Sequence, residues 1–234
     1  MSARQAIRIR APLQCGMRVG RFPVALDGLL WHSLFLKTGS EARALSGLCE
    51  YLSKTESVFR ASALLFGVSR SQRLIATRWV TVGAMRPGVD LSPDQFHPTG
   101  RKGKYTKVQV EGGPYKNRLT THDTYHAPEV LWYAHGDGEG ICKLLNFYVQ
   151  GIGLDANRGC GSVGRFSWES MEEDFSLVDA QGAPARIIPV SLYDSLIGRA
   201  SGRLTVQAQT EPPHRNNPAV ECVAPDRIRR IILN

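Results

Sequence analysis

The segment GIGLDANRGCGSVGRFSW, Gly151 to Trp168, decides how the rest of the chain is read. Gly151, Gly153, Gly159, Gly161 and Gly164 fall within fourteen residues, with Arg158 and Arg165 among them. Gly159, Gly161 and Gly164 spell G-x-G-x-x-G, but in a dinucleotide-binding loop that pattern follows a strand and opens a helix whose N-terminus receives the pyrophosphate. Here the order is reversed. Ile141, Leu144, Leu145, Tyr148 and Val149 keep helical spacing up to Gly151, and Val163 to Ser167 afterwards reads as a strand. The nucleotide-cofactor reading is rejected, and no cofactor is expected. What remains is a loop whose backbone can approach a polyanion closely while Arg158 and Arg165 hold its phosphates.

Working outward, residues 4 to 13 alternate apolar and charged positions, the period of a half-buried strand. Residues 26 to 53 carry apolar positions at helical spacing. Arg60 to Val68 and Leu74 to Met85 read as a hairpin about Ser69 to Gln72. Glu129 to His135 reads as a strand before the helix that ends at Gly151. Further strands are expected at Phe175 to Val178, Arg186 to Val190, 203 to 209 and 228 to 233. The order strand, helix, strand, strand, helix, strand is the split βαβ plan, so the expected class is α+β, ferredoxin-like and similar to RNA-recognition folds. Such a plan presents an open sheet face of the kind used to stack bases. The expected organisation is a core of residues 1–85 and 129–180, a basic thumb-like insertion over 86–128, and a C-terminal β extension over 181–234.

The insertion is set apart by charge. The 234 residues hold 29 Lys plus Arg against 21 Asp plus Glu, a net charge of +8. Residues 60 to 118 hold eleven of those cations and three acids, which accounts for the whole excess. Trp79, Phe96, Tyr105 and Tyr115 are interleaved with them, placing stacking faces beside phosphate contacts. Single-stranded nucleic acid is the ligand this combination suits. The candidate contacts are Arg70, Arg73, Arg101, Lys102, Lys104, Tyr105, Lys107, Lys116 and Arg118, besides the glycine loop.

Other classes are excluded by what the sequence lacks. The five cysteines are widely spaced and form no C-x-x-C, against a disulfide frame or a zinc site. No apolar run approaches the roughly 18 residues of a membrane helix. The first ten residues have no secretory pattern, and a cytoplasmic chain with no membrane partner is expected.

The order of helix, glycine-rich loop with basic residues, and strand resembles the C-terminal signature of the RAMP superfamily of CRISPR-associated RNA-binding proteins. FPVALDGLLWHSLF, Phe22 to Phe35, is similar to the segment after the first strand in the type IV members that cap the 5′ handle of the guide RNA. PPHRNNPAVECVAPD, Pro212 to Asp226, looks like the tail of those proteins. Asn157 and Cys160 depart from the more basic loop often seen in the family. The resemblance implies a non-catalytic subunit of a multisubunit RNA-guided ribonucleoprotein that surveys double-stranded DNA in antiviral defence by DNA interference. Its implied partners are the guide RNA, the backbone and large subunits of the complex, and target DNA.

An enzymatic alternative rests on Tyr115, Lys116, His122 and His126, which lie within twelve residues. A metal-independent endoribonuclease that processes precursor guide RNA needs a His or Tyr to take the 2′-hydroxyl proton and a Lys to stabilise the phosphorane. His122 and His126 would share a metal only on a helix, which Pro128 makes unfavourable. No H-E-x-x-H or G-x-S-x-G motif occurs, and no metal is expected. A third reading is an assembly subunit whose basic patch meets an acidic protein partner.

Overall fold

The computed structural model describes residues 4–83, 116–198, 205–215 and 218–233. It is a mixed α/β chain, with four α-helices and several sheets among the described residues. The chain divides into two compact units, Met1–Ala76 with Tyr125–Asn234, and Thr77–Thr124.

In the first unit, β1 (Gln5–Pro12) turns Ile7, Ile9 and Ala11 inward, as its alternation requires. The helix α1 (Leu26–Thr38) stops at Gly39, and Ser40 caps α2 (Glu41–Tyr51) by accepting from the amide of Arg43. A short hairpin follows, β2 (Lys54–Thr55) with β3 (Val58–Phe59). Then come β4 (Leu65–Ser69), β5 (Ile75–Gly83), β6 (Arg118–His126) and β7 (Glu129–Gly136). Asp137 caps α3 (Gly138–Tyr148), accepting from the amide of Gly140 at 3.2 Å. The remaining elements are β8 (Ser167–Ser170), β9 (Ile188–Pro189), α4 (Val190–Ile197), β10 (Thr205–Ala208), β11 (Val220–Val223) and β12 (Arg230–Leu233).

The main sheet has the order β12-β4-β7-β1-β8. Its neighbours are antiparallel except β12, which runs parallel to β4. One face carries α1, α2 and α3 on a core that includes Leu30, Leu48, Trp132 and Ile141, all shielded from solvent. On the other face Leu65, Leu131 and Tyr133 are buried beneath Met171 and Phe175, with the Tyr133 and Phe175 rings 5.5 Å apart edge to face. The expectation of an open stacking face is corrected over β4 and β7, where the chain after β8 folds back across the sheet. A smaller sheet, β10-β11-β9, packs with α4 around Ile188, Tyr193 and Val223.

Several sequence expectations are corrected. The segments 60–68 and 74–85 do not form a hairpin. All but one residue of β4 is buried, and the strand takes partners on both sides, β7 and β12, while the exposed β5 pairs with β6. The strand after the glycine loop starts at Ser167 rather than Val163. The Asn146 side chain takes up both backbone groups of Phe166, at 2.7 and 3.0 Å, so that residue makes no ladder bond to β1. Phe175 to Val178 forms only a bridge from Val178 to Pro184, bracketed by turns on Asp174 and Asp179. Arg186 to Val190 shrinks to the two-residue strand Ile188–Pro189, because α4 begins at Val190 and Pro189, its N-cap, has no amide to donate. At the start of α4 that lack costs nothing.

The second unit contains most of β5 and β6 as a two-stranded ribbon. The Thr77 and Thr124 hydroxyls meet across it at 3.0 Å.

Candidate nucleic-acid interface

The glycine-rich segment is laced to the chain that follows β1. The amide of Gly161 donates to the carbonyl of Gly16 at 2.9 Å, that of Leu154 to Arg18 at 2.9 Å, and that of Gln14 to Ser162 at 2.9 Å. The Cys160 thiol donates to the Gly16 carbonyl at 3.2 Å, and Cys15 Sγ accepts from the Ser162 amide at 3.1 Å. All five cysteines are free. Burial raises the thiol pKa values of Cys160, Cys142 and Cys222, the last two to about 12 and about 11, so these thiols stay protonated.

The glycines divide by role. Gly161 sits at φ +66°, and a Cβ there would stand 2.0 Å from the Ile152 carbonyl oxygen, so its place is set by close backbone packing. Gly159, at φ +86°, has nothing within 4 Å of a would-be Cβ and faces open space. Gly164 lies against the Pro12 ring. Arg158 closes a 3₁₀ turn, Ala156–Arg158, with its side chain 61% exposed and 3.8 Å from Asp155. Asp155 is itself engaged by Arg18 at 2.5 Å, so it holds Arg158 only loosely. Arg165 is exposed just before β8. The loop thus offers two cations and one open glycine on a braced backbone.

The other sequence candidates fall in one or the other unit or outside the described residues. Arg70 and Arg73 are exposed in the turn between β4 and β5, in the first unit. Lys116 and Arg118 are exposed at the start of β6, in the second. Arg101, Lys102, Lys104, Tyr105, Lys107 and Tyr115 lie outside the described residues. His122 and His126 both stand on β6, a strand and not a helix. At roughly 3.3 Å of rise per residue, positions four apart on a strand are too distant to share one ion. Among the described residues no group of three or more His, Cys, Asp or Glu is placed to hold a metal, and no helix is long and apolar enough to cross a membrane.

The structure adds a feature that residue-by-residue reading missed. A groove of about 700 Å³ opens in the first unit where three separate segments converge. Phe22 to Ala25 with Gly28, Leu29 and His32 forms one wall, Gly151 to Leu154 with Ala156 another, and Gln207 to Gln209 with His214, Ala219 and Pro225 the third. The wall carrying His214 is joined to α1 through its floor. The guanidinium of Arg186, 1% exposed, donates to the carboxylate of Asp27 and to the carbonyls of Phe59, Ala61 and Thr210. The guanidinium of Arg21 sits 5.2 Å from the centre of the Phe22 ring at the margin. The signal for this groove was present in the sequence only as whole segments. His32 reads there as one polar position in an apolar helix, and His214 as part of an irregular tail.

No family model matches the chain, and no curated protein matches it.

Proposed function

We propose that this chain is a non-catalytic RNA-binding subunit that holds the 5′ handle of a guide RNA in a type IV CRISPR effector, on a ferredoxin-like RAMP scaffold. The observation that carries the reading is the convergence of three segments. The parts of the sequence that resemble the RAMP superfamily, Phe22 to Phe35, Gly151 to Trp168 and Pro212 to Asp226, are far apart in the chain yet each lines the same groove.

The topology supports the scaffold. Taking β1, β4, β7 and β8 as the first to fourth strands of the split βαβ plan, the observed order β4-β7-β1-β8, all antiparallel, has the first and third strands central and the second and fourth outside. The first and third are each followed by a helix on the same face, α1 and α3, with α2 packed beside α1. Affinity would come from cations such as Arg158 and Arg165 and from the +8 net charge, and specificity from bases held against aromatic and backbone groups.

The test is purification of the chain from a host that also expresses a repeat array with its effector subunits. Co-purification of one RNA species beginning with the repeat-derived handle is expected. Recovery of the protein free of nucleic acid, with an acidic protein bound in its place, would favour the assembly-subunit reading.

A further inference from the structure

We propose that the groove between α1, the glycine-rich loop and the C-terminal segment is a receptor for a single unpaired nucleobase, with His32 and His214 at its rim. The inference rests on the RNA-binding reading and adds to it a specific site and ligand class.

The groove has the size of a small-molecule site, which typically runs from about 300 to 1,000 Å³. Its walls are mostly apolar, contributed by residues such as Leu29, Ala63, Ile152 and Ala208. Such a lining suits a flat aromatic ring and offers little to an isolated phosphate. No carboxylate is among the described residues that line it, so a polyanionic chain can run past without repulsion from within.

Polar groups are few and suited to base edges. Gln207 is exposed at the end of β10, and Gln209 lies two positions on. An amide side chain offers a donor pair and an acceptor, which is what reading a Watson–Crick edge requires. The two imidazoles share one side of α1. Gly28 and His32 are one helical turn apart, and a Cβ at Gly28 would stand 3.9 Å from the His214 ring, so His214 lies across the helix where a side chain is missing. Both histidines are exposed, and both offer π faces on which a base can stack. The Asp27–Arg186 pair keeps this geometry fixed but spends its donors inside the protein, so it is a support and not a contact.

The experiment measures binding of fluorescent single-stranded RNAs of about ten nucleotides, one homopolymer of each base, beside an abasic ribose-phosphate chain of equal length. The proteins compared are wild type, the double variant His32→Ala/His214→Ala, and Ala219→Trp, which places an indole in the groove from an exposed position. At least one homopolymer should bind the wild type about tenfold tighter than the abasic chain. Ala219→Trp should erase that margin and leave abasic affinity unchanged, and the double histidine variant should reduce it. Equal binding of base-bearing and abasic chains, or a margin that survives Ala219→Trp, overturns the base receptor while leaving RNA binding intact. Failure of every chain to bind overturns the RNA reading and the receptor with it.

Discussion

The carboxylate of Asp27 accepts a hydrogen bond from the Arg186 guanidinium at 2.9 Å, and the two side chains are 0% and 1% exposed. Asp27 also accepts from the Gly28 amide at 2.9 Å, in the first turn of α1, where a negative charge is favoured. Arg186 spends its donors on that carboxylate and on carbonyls of Phe59, Ala61, Ile187 and Thr210. One ion pair therefore ties the first helix to the C-terminal third of the chain beneath the groove.

Breaking that pair from one side should be expensive. Arg186→Met leaves a buried carboxylate without its counter-charge and takes a donor from four carbonyls, and a loss of about 3 to 5 kcal/mol is expected. Replacing both partners, Asp27→Leu with Arg186→Met, should cost less than the single change because no uncompensated charge remains. Urea denaturation of the three proteins checks this. A single variant within about 1 kcal/mol of wild type would contradict it.

The glycine loop offers an internal comparison. Gly159→Ala meets only the left-handed backbone penalty, about 1 to 2 kcal/mol, because nothing crowds its Cβ. Gly161→Ala incurs that penalty and also forces the Ile152 carbonyl aside. The expected order in thermal unfolding is wild type, Gly159→Ala, then Gly161→Ala with the lowest midpoint. Equal midpoints for the two variants would mean that the close backbone approach is not what selects glycine at 161.

The distinction between these glycines marks where sequence reading stops. A glycine count cannot tell a residue needed for packing from one left open to a ligand, since both look alike in the chain and differ only in what lies opposite. The helices over 26 to 53 and before Gly151 were legible because apolar spacing is a local signal. The partner of β4 was not legible. A run as buried as Leu65 to Val68 announces that it needs cover on both faces but not which strands will flank it. The groove was hidden for the same reason, its three walls being joined only by folding.

Stability should fall as the medium is made mildly acidic, and His135 should contribute to the slope. Burial, and next the nearby charge of Arg60, lower its pKa below the ordinary value of about 6.5. Its Nδ1 lies 2.9 Å from the Ser53 hydroxyl. The unfolded chain then binds more protons at this site than the folded one, so its contribution is present above about pH 6.5 and is lost as pH falls through that range. His135→Asn should flatten the dependence of urea midpoint on pH between about 7 and 5. A slope identical to wild type would assign the acid sensitivity elsewhere.

Arg158 and Arg165 are the exposed cations of the glycine loop, and Asp155 does little to satisfy the first. If both meet phosphates, Arg158→Ala with Arg165→Ala should weaken RNA binding severalfold. The slope of log affinity against log salt should drop by about 1.4, the value for two phosphate contacts on a single strand. A titration series in salt measures this, and an unchanged slope would remove the loop from the interface.

The chain is expected to bind RNA without cutting it. A general base must lie within about 2.6 to 3.2 Å of the hydroxyl it deprotonates, and a second group must be poised at the leaving oxygen. His122 and His126 both stand on the single strand β6, and Lys116 is exposed before it, so these three project from one short stretch and do not converge from separate elements. Holding an acid and a base on opposite sides of a phosphate takes support from more than one direction. Labelled precursor RNA incubated with the protein in chelator should therefore remain intact. Product at one position, abolished by His122→Ala or His126→Ala but retained in Arg158→Ala, would overturn this and establish the ribonuclease.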